Sequence, residues 1–177
     1  MSQTRILAIS GSLRQASYNT ALVNALSELS ADDVEIRVFQ KMAELPLFNP
    51  DLEVTPPKAV KNLKFELAQS DGLIISSPEY AHGITGVLKN ALDWLVSGEE
   101  FINMPIALFN TSPRASHAQV ALREVVKTMS GLIVEEASLE IPLLGSNLDT
   151  QGILKQESMV SLIKSKLVNF SHAIKTI

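Results

Sequence analysis

Arg5-Ile6-Leu7-Ala8-Ile9-Ser10-Gly11-Ser12-Leu13-Arg14-Gln15-Ala16-Ser17-Tyr18-Asn19 begins as an apolar run, breaks at a glycine and ends where a helical pattern starts. The run is short and almost wholly apolar, which predicts a buried strand. Gly11 permits a sharp turn, and Leu22, Leu26 and Leu29 then recur at i, i+4 and i+7, which predicts a helix over 19–29. The same strand–turn–helix alternation repeats down the chain. Residues 34–38 alternate strictly and read as a strand with one wetter face. A loop follows through Pro46, Pro50, Pro56 and Pro57, then a helix over 58–69 carrying Val60, Leu63 and Leu67. Strands are expected over 72–77, 105–110 and 132–137, and helices over 86–96 and 116–129. A single helix over 150–173 closes the chain, with Met159, Leu162, Ile163, Leu167, Phe170 and Ile174 as its apolar stripe.

Strands separated by crossover helices imply a parallel sheet with helices on both faces. The strands at Arg5, Gly72 and Pro105 lack interior charge and belong in the middle. Those at Val34 and Leu132 carry Glu35, Arg37 and Glu135 and belong at the edges. The order 2-1-3-4-5 satisfies this. The expectation is therefore an α/β flavodoxin-like three-layer sandwich with five parallel strands, folded as one domain over 1–177.

Composition narrows the function. The 177 residues carry a formal net charge of -4 and no cysteine. Mild acidity gives no electrostatic footprint for nucleic acid, and the missing cysteines remove disulfides and thiolate nucleophiles. His82, His117 and His172 show no metal-ligand spacing. No apolar run is long enough to span a membrane and no secretory pattern opens the chain, so a cytoplasmic protein is expected.

Ligands of such sheets bind beyond the carboxyl ends of the strands, where the strand order reverses. Three loops meet there: 11–18, 78–85 and 111–115. The first reads as a phosphate cradle. Ser12, Ser17 and Asn19 are short donors, Arg14 is a planar fork of donors, and a helix starting near Tyr18 or Asn19 aims free N–H groups at the same place. The loop has neither GxxxxGK[ST] nor GxGxxG, so a terminal monophosphate suits it better than a triphosphate or a dinucleotide. Taken alone it reads equally well as a helix cap beside a solvated arginine. Pro78-Glu79-Tyr80-Ala81-His82-Gly83 offers an aromatic plane and backbone amides to a flat ring. In Asn110-Thr111-Ser112-Pro113-Arg114, the arginine meets either a nicotinamide nucleotide phosphate or solvent. Trp94 reads as core and Lys89 and Asp93 as an i, i+4 ion pair, the alternative being Asp93 and Trp94 as partners across a subunit interface.

Gly11-Ser12-Leu13-Arg14-x-x-Ser17-x-Asn19, Ser77-Pro78-Glu79-Tyr80 and Gly83-x-x-Gly86-x-Leu88-Lys89-Asn90-Ala91-Leu92-Asp93-Trp94 together resemble the NADPH-dependent FMN reductase family, which includes quinone, chromate, azo-dye and flavin reductases. The resemblance runs from the first strand to about Gly145. It implies non-covalent FMN, with NADPH or NADH passing hydride to FMN N5 and the electrons then going to a quinone, free flavin, azo compound or metal oxyanion. By position, Ser12, Arg14, Ser17 and Asn19 would hold the phosphate beside Tyr18. Pro78, Glu79, Tyr80 and Gly83 would line the isoalloxazine, and Ser112 with its neighbours would close the third side. No protein acid, base or nucleophile is required. The family also implies dimers or tetramers, and the helices after Gly86 and Ser116 carry apolar residues on more than one face, as a partner subunit would need. Two departures stand out. Many members carry Asn where this chain has Ala81 and His82, so one ring contact is either missing or supplied by His82. Arg114 sits where many have small residues. The alternatives are a non-enzymatic flavodoxin-type electron carrier, disfavoured by the single arginine and absent threonine in the first loop, and a flavin-free domain that kept the fold.

Overall fold

The computed structural model describes residues 3–177, so the first two positions of the expected domain lie outside the described residues. Five parallel strands form the main sheet: β1 (Thr4–Ser10), β2 (Val34–Val38), β3 (Gly72–Ser76), and, after a two-stranded hairpin of β4 (Glu79–Tyr80) and β5 (Gly83–Ile84), β6 (Pro105–Asn110) and β7 (Leu132–Ile133). Their order is β2-β1-β3-β6-β7, with β8 (Leu139–Glu140) also pairing with β6. This is the expected 2-1-3-4-5 order, with the two charge-bearing strands at the edges. The helices are α1 (Tyr18–Leu29), α2 (Lys58–Ala68), α3 (Gly86–Leu95), α4 (Ser116–Thr128), α5 (Thr150–Leu154) and α6 (Glu157–Thr176).

Successive strand residues point to opposite faces of a sheet, and the two cores follow that period. Ile6, Ala8, Ile74, Ala107 and Phe109 face α1, α5 and α6. Leu7, Ile9, Leu73, Ile75, Ile106 and Leu108 face α2, α3 and α4. Both faces are covered, which is why the central strands are apolar throughout. The β1–β3 register sets Ser10 beside Ser76, so the loops after these strands leave the sheet at one level.

Two expected elements are broken. The fifth strand does not run unbroken over 132–137. After Ile133 the chain makes a 3-10 turn (Glu135–Ala137) before β8 rejoins β6. The Ser138 hydroxyl takes the place of a ladder carbonyl and accepts from Leu108 N at 3.1 Å. Lys166 and Asn169 on α6 donate to Glu136 O, which fixes the turn. The closing helix is also two helices. Ile163, Leu167, Phe170 and Ile174 keep one face, but Ile153, ten residues before Ile163, falls out of phase with it. A break at Gln156, whose backbone is extended, lets Ile153 and the α6 stripe both be buried. Leu162, expected in the stripe, is 41% exposed.

The second apolar face of α3 has an internal explanation. The segment carrying Pro46 and Phe48 covers it: Trp94 Nε1 and Asn90 Nδ2 both donate to Pro46 O, at 2.8 and 2.9 Å, and Phe48 N donates to Asn90 Oδ1. Phe48 meets the indole edge-on, centroids 5.1 Å apart. Trp94 is thus core, as expected, but α3's burial on two sides needs no partner chain. Lys89 and Asp93 pair as expected.

Trp94→Ala is expected to lower the unfolding free energy by about 3–5 kcal/mol through the cavity it leaves. Trp94→Phe removes the indole hydrogen bond, whose acceptor keeps Asn90, and only part of the buried ring volume, so it should cost less than Trp94→Ala. Urea denaturation of the two variants measures both losses.

Candidate active site

At the carboxyl ends of β1, β3 and β6 the three loops enclose a cavity of about 300 Å³, near the lower end of the roughly 300–1,000 Å³ usual for ligand pockets. From the first loop Ser12, Arg14, Ser17, Tyr18 and Asn19 line it, and from the second Pro78, Glu79 and Tyr80. The third contributes Thr111, Ser112, Arg114 and Ala115, and Leu144 completes the wall. Ten of the twelve anticipated residues therefore meet in one place. His82 and Gly83 do not line it.

The first loop is held by short ties. Ser17 caps α1 by accepting from Thr20 N at 3.3 Å. Gly11 N donates to Ser76 O at 2.8 Å, and the Gly11 carbonyl accepts from Thr85 Oγ1 at 2.6 Å. Thr85 in turn caps α3 by accepting from Leu88 N. A Cβ on Gly11 would lie 2.3 Å from Ser77 Oγ, so only glycine lets the loop pass this close to β3. The N–H groups of Gln15, Ala16, Ser17, Tyr18 and Asn19 have no protein acceptor among the described residues.

Asn19 ties the three loops together. Its Oδ1 is buried and accepts from Ser76 Oγ at 2.9 Å and from Thr111 Oγ1 at 3.2 Å, joining α1 to the ends of β3 and β6. Tyr18 has a bracing role: its hydroxyl accepts from Asn147 N at 3.1 Å and holds the segment after Leu144 against the cavity.

The Pro-Glu-Tyr segment forms the β4–β5 hairpin. Ala81 and His82, its two turn residues, both have left-handed φ, +50° and +59°, as a type I′ turn requires. The family's frequent Asn is favoured in that conformation, whereas Ala81 gains nothing from it. Glu79 does not spend its carboxylate on the cavity. Oε2 accepts from Ala118 N at 2.8 Å and caps α4, which has no side-chain cap of its own at Ala115. His82 turns the same way: Nδ1 lies 3.5 Å from Glu79 Oε1, and its ring packs edge-on against His117, centroids 4.4 Å apart. His82 therefore does not replace a contact in the cavity.

Arg14 and Arg114 are both exposed and neither has a carboxylate partner among the described residues. With Glu79 engaged by α4, the cavity is locally cationic in a chain of net charge -4. Tyr80 (56% exposed) and Leu144 (53%) give its mouth an apolar surface. Unbonded N–H groups, two serine hydroxyls and a free guanidinium at one end, with an aromatic plane at the other, fit a ligand with a terminal phosphate and a flat ring. A larger depression, about 960 Å³, lies where α1 and α2 flank β2. Its arginine, Arg37, is already paired with Glu35 and Glu66, and the hydrogen bond it donates to Glu35 holds that guanidinium's pKa above its ordinary value.

A model of the NADPH-dependent FMN reductase family matches residues 4–141. The chain belongs to this family. A 2-hydroxy-1,4-benzoquinone reductase from a Burkholderia species is 33% identical over 159 residues, 86% of either chain. An NAD(P)H-dependent FMN reductase of Pseudomonas aeruginosa is 30% identical, covering 92% of this chain and 91% of its own. The solved structure of FerB, a flavoenzyme NAD(P)H:(acceptor) oxidoreductase from Paracoccus denitrificans, superimposes with a TM-score of 0.78 at 24% identity over 98% of each chain, which establishes the shared flavodoxin-like fold. The protein is thus an FMN-dependent NAD(P)H oxidoreductase, and FMN is the cofactor the family uses. Thr85 and Leu144 escaped the sequence reading. Thr85 acts through a backbone carbonyl 74 residues away, and Leu144 follows a strand too short to read.

Asn19→Ala removes the acceptor of two buried hydroxyls. It should lower the unfolding free energy by about 1–3 kcal/mol and weaken FMN binding as the loops lose their common level. Thermal melts with and without added FMN check both effects.

Proposed function

We propose that the chain reduces quinones with NADPH or NADH, with FMN seated between the 11–19 loop and the 79–84 hairpin. The observation that carries this is the meeting of a phosphate-suited donor set and an exposed aromatic plane in one cavity. When bound, FMN supplies the two-electron chemistry between nicotinamide and acceptor. Ser12, Ser17, the Arg14 guanidinium and the α1 N-terminus hold its phosphate. Asn19 sets the level of that end, and the main chain around Tyr80 donates to the ring edge, where negative charge develops on reduction. Donors that do not titrate suit this task, and no side chain need move a proton. The open mouth, rimmed by Tyr80 and Leu144, suits a flat aromatic acceptor. The names of the Burkholderia and Pseudomonas relatives support quinones and free flavin ahead of azo compounds and metal oxyanions.

Purified protein should be yellow or take up FMN, and its visible absorbance should bleach when NADPH is added without oxygen. Retained colour under NADPH and NADH alike would leave the flavodoxin-type carrier as the reading. Arg14→Ala should weaken FMN binding by about 1.5–3 kcal/mol if its charged hydrogen bond to the phosphate is real. Fluorescence titration of FMN measures it, and an unchanged affinity dismisses Arg14 as a ligand.

Self-association as a homodimer or homotetramer, in the cytoplasm where reduced nicotinamide nucleotides are made, belongs to the same proposal. With α3 covered from within, it rests on α4, whose outer face exposes Val120 (70%) beside His117. Sedimentation at micromolar concentration should give at least twice the chain mass of 19.3 kDa. No helix among the described residues is long and apolar enough to cross a membrane.

A further inference from the structure

The chain has five arginines. Arg5 faces Glu35, Arg37 faces Glu35 and Glu66, and Arg123 faces Glu135. The two without a carboxylate partner among the described residues, Arg14 and Arg114, line the same cavity. They reach it from β1 and β6, strands on either side of β3. Two free guanidiniums at one cavity favour anionic ligands there, because like charges at one site repel until an anion arrives.

The two are not equivalent. Arg14 also borders the depression beside the α1 N-terminus, together with Ser17 and Tyr18, and so sits with the phosphate donors. Arg114 stands at the third position of the turn Ser112-Pro113-Arg114-Ala115. Ala115 N donates to Ser112 O at 3.0 Å, Arg114 N donates to Ser112 Oγ at 3.3 Å, and Ser112 N donates to Asn110 Oδ1 at 3.0 Å. Proline at the second position presets such a turn. The backbone is therefore fixed while the guanidinium is exposed at the cavity mouth, a poor place to stabilise the fold and a good one to receive a ligand.

We infer that Arg114 binds the 2′-phosphate of NADPH and so sets the donor preference. This rests on the reading of the cavity as the FMN and nicotinamide nucleotide site. With the nicotinamide against the flavin, the adenosine end of the dinucleotide lies toward the mouth. The 2′-phosphate is a terminal monoester with three free oxygens and close to two negative charges near pH 7, which matches a planar fork of donors. The pyrophosphate, shared by NADH and NADPH, offers one charge on each phosphorus and gives no discrimination.

The test uses the flavin-loaded enzyme with a fixed quinone. Apparent KM for NADPH and NADH is measured for the parent, Arg114→Ala and Arg114→Lys. Adenosine 2′,5′-bisphosphate and 5′-AMP are titrated calorimetrically as unreactive probes. Arg114→Ala should raise KM for NADPH and weaken the bisphosphate roughly 10- to 100-fold, with a far smaller change for NADH and 5′-AMP, and Arg114→Lys should fall between. An unchanged NADPH-to-NADH ratio of KM values in an active enzyme overturns the inference while leaving the proposed function intact. So does an equal loss for both donors, which puts Arg114 on the pyrophosphate, or a loss of FMN affinity, which puts it on the flavin phosphate. A parent that oxidises neither donor removes the reading beneath it.

Discussion

The site depends on one buried amide oxygen. Asn19 Oδ1 accepts from Ser76 and Thr111, hydroxyls at or just beyond the ends of two different strands. Both donors are almost fully buried, so an apolar residue at position 19 would leave them without a partner. The amide thus fixes where α1 begins relative to β3 and β6. Ser17 can then cap the helix, and the unbonded N–H groups of Ser17, Tyr18 and Asn19 belong to residues of the cavity wall. Thr85 repeats the device on the other side, capping α3 and gripping the Gly11 carbonyl. Two capping residues and one amide make a cradle from three loops that share no backbone ladder.

Much of this fold was legible because each central strand carries its own signal. Ile6 to Ile9, Leu73 to Ile75 and Ile106 to Phe109 are apolar on both faces, and the sheet covers both faces. What escaped depended on distant partners. The fifth strand breaks because Ser138 bonds a strand 30 residues earlier and α6 binds the Glu136 carbonyl, and neither leaves a local trace in Leu132-Ile133-Val134. The hairpin at 79–84 was hidden because its strands are two residues long and Ala81-His82 lacks the Asn-Gly signature. The helix break at Gln156 was the exception. The phase of Ile153 against Ile163 was available in the sequence and was masked by the longer run of helix-forming residues.

Charge placement follows the same logic. Glu35 and Arg37 pair on the edge strand β2, with Arg5 of β1 facing Glu35, and Asp33 pairs with Lys175, whose hydrogen bond and charge hold the Asp33 carboxyl below its ordinary pKa. These are exposed pairs of small worth to stability, and they leave those groups with partners of their own. The cavity shows the opposite arrangement, with two guanidiniums and one carboxylate already taken by a helix. An acidic chain that leaves two unpaired arginines in one concavity favours anions there.

The Ala81 and His82 departure acquires a meaning from Glu79. A carboxylate beside a flavin would oppose the negative charge that develops on reduction, and a buried unpaired one would be costly in itself. The α4 N-terminus removes both difficulties. Its N–H at Ala118 donates to Glu79 Oε2 as a cap, and the helix dipole favours the charge there. Once Glu79 is drawn to α4, the tight turn swings its second residue toward the same helix, and His82 packs on His117 beyond the cavity. Tyr80 stays at the mouth because it pairs with Gly83 across the hairpin. Ala81 and His82 thus lie on the α4 side, outside the cavity, while Arg114, the other departure, lines it with the apolar surfaces of Tyr80 and Leu144.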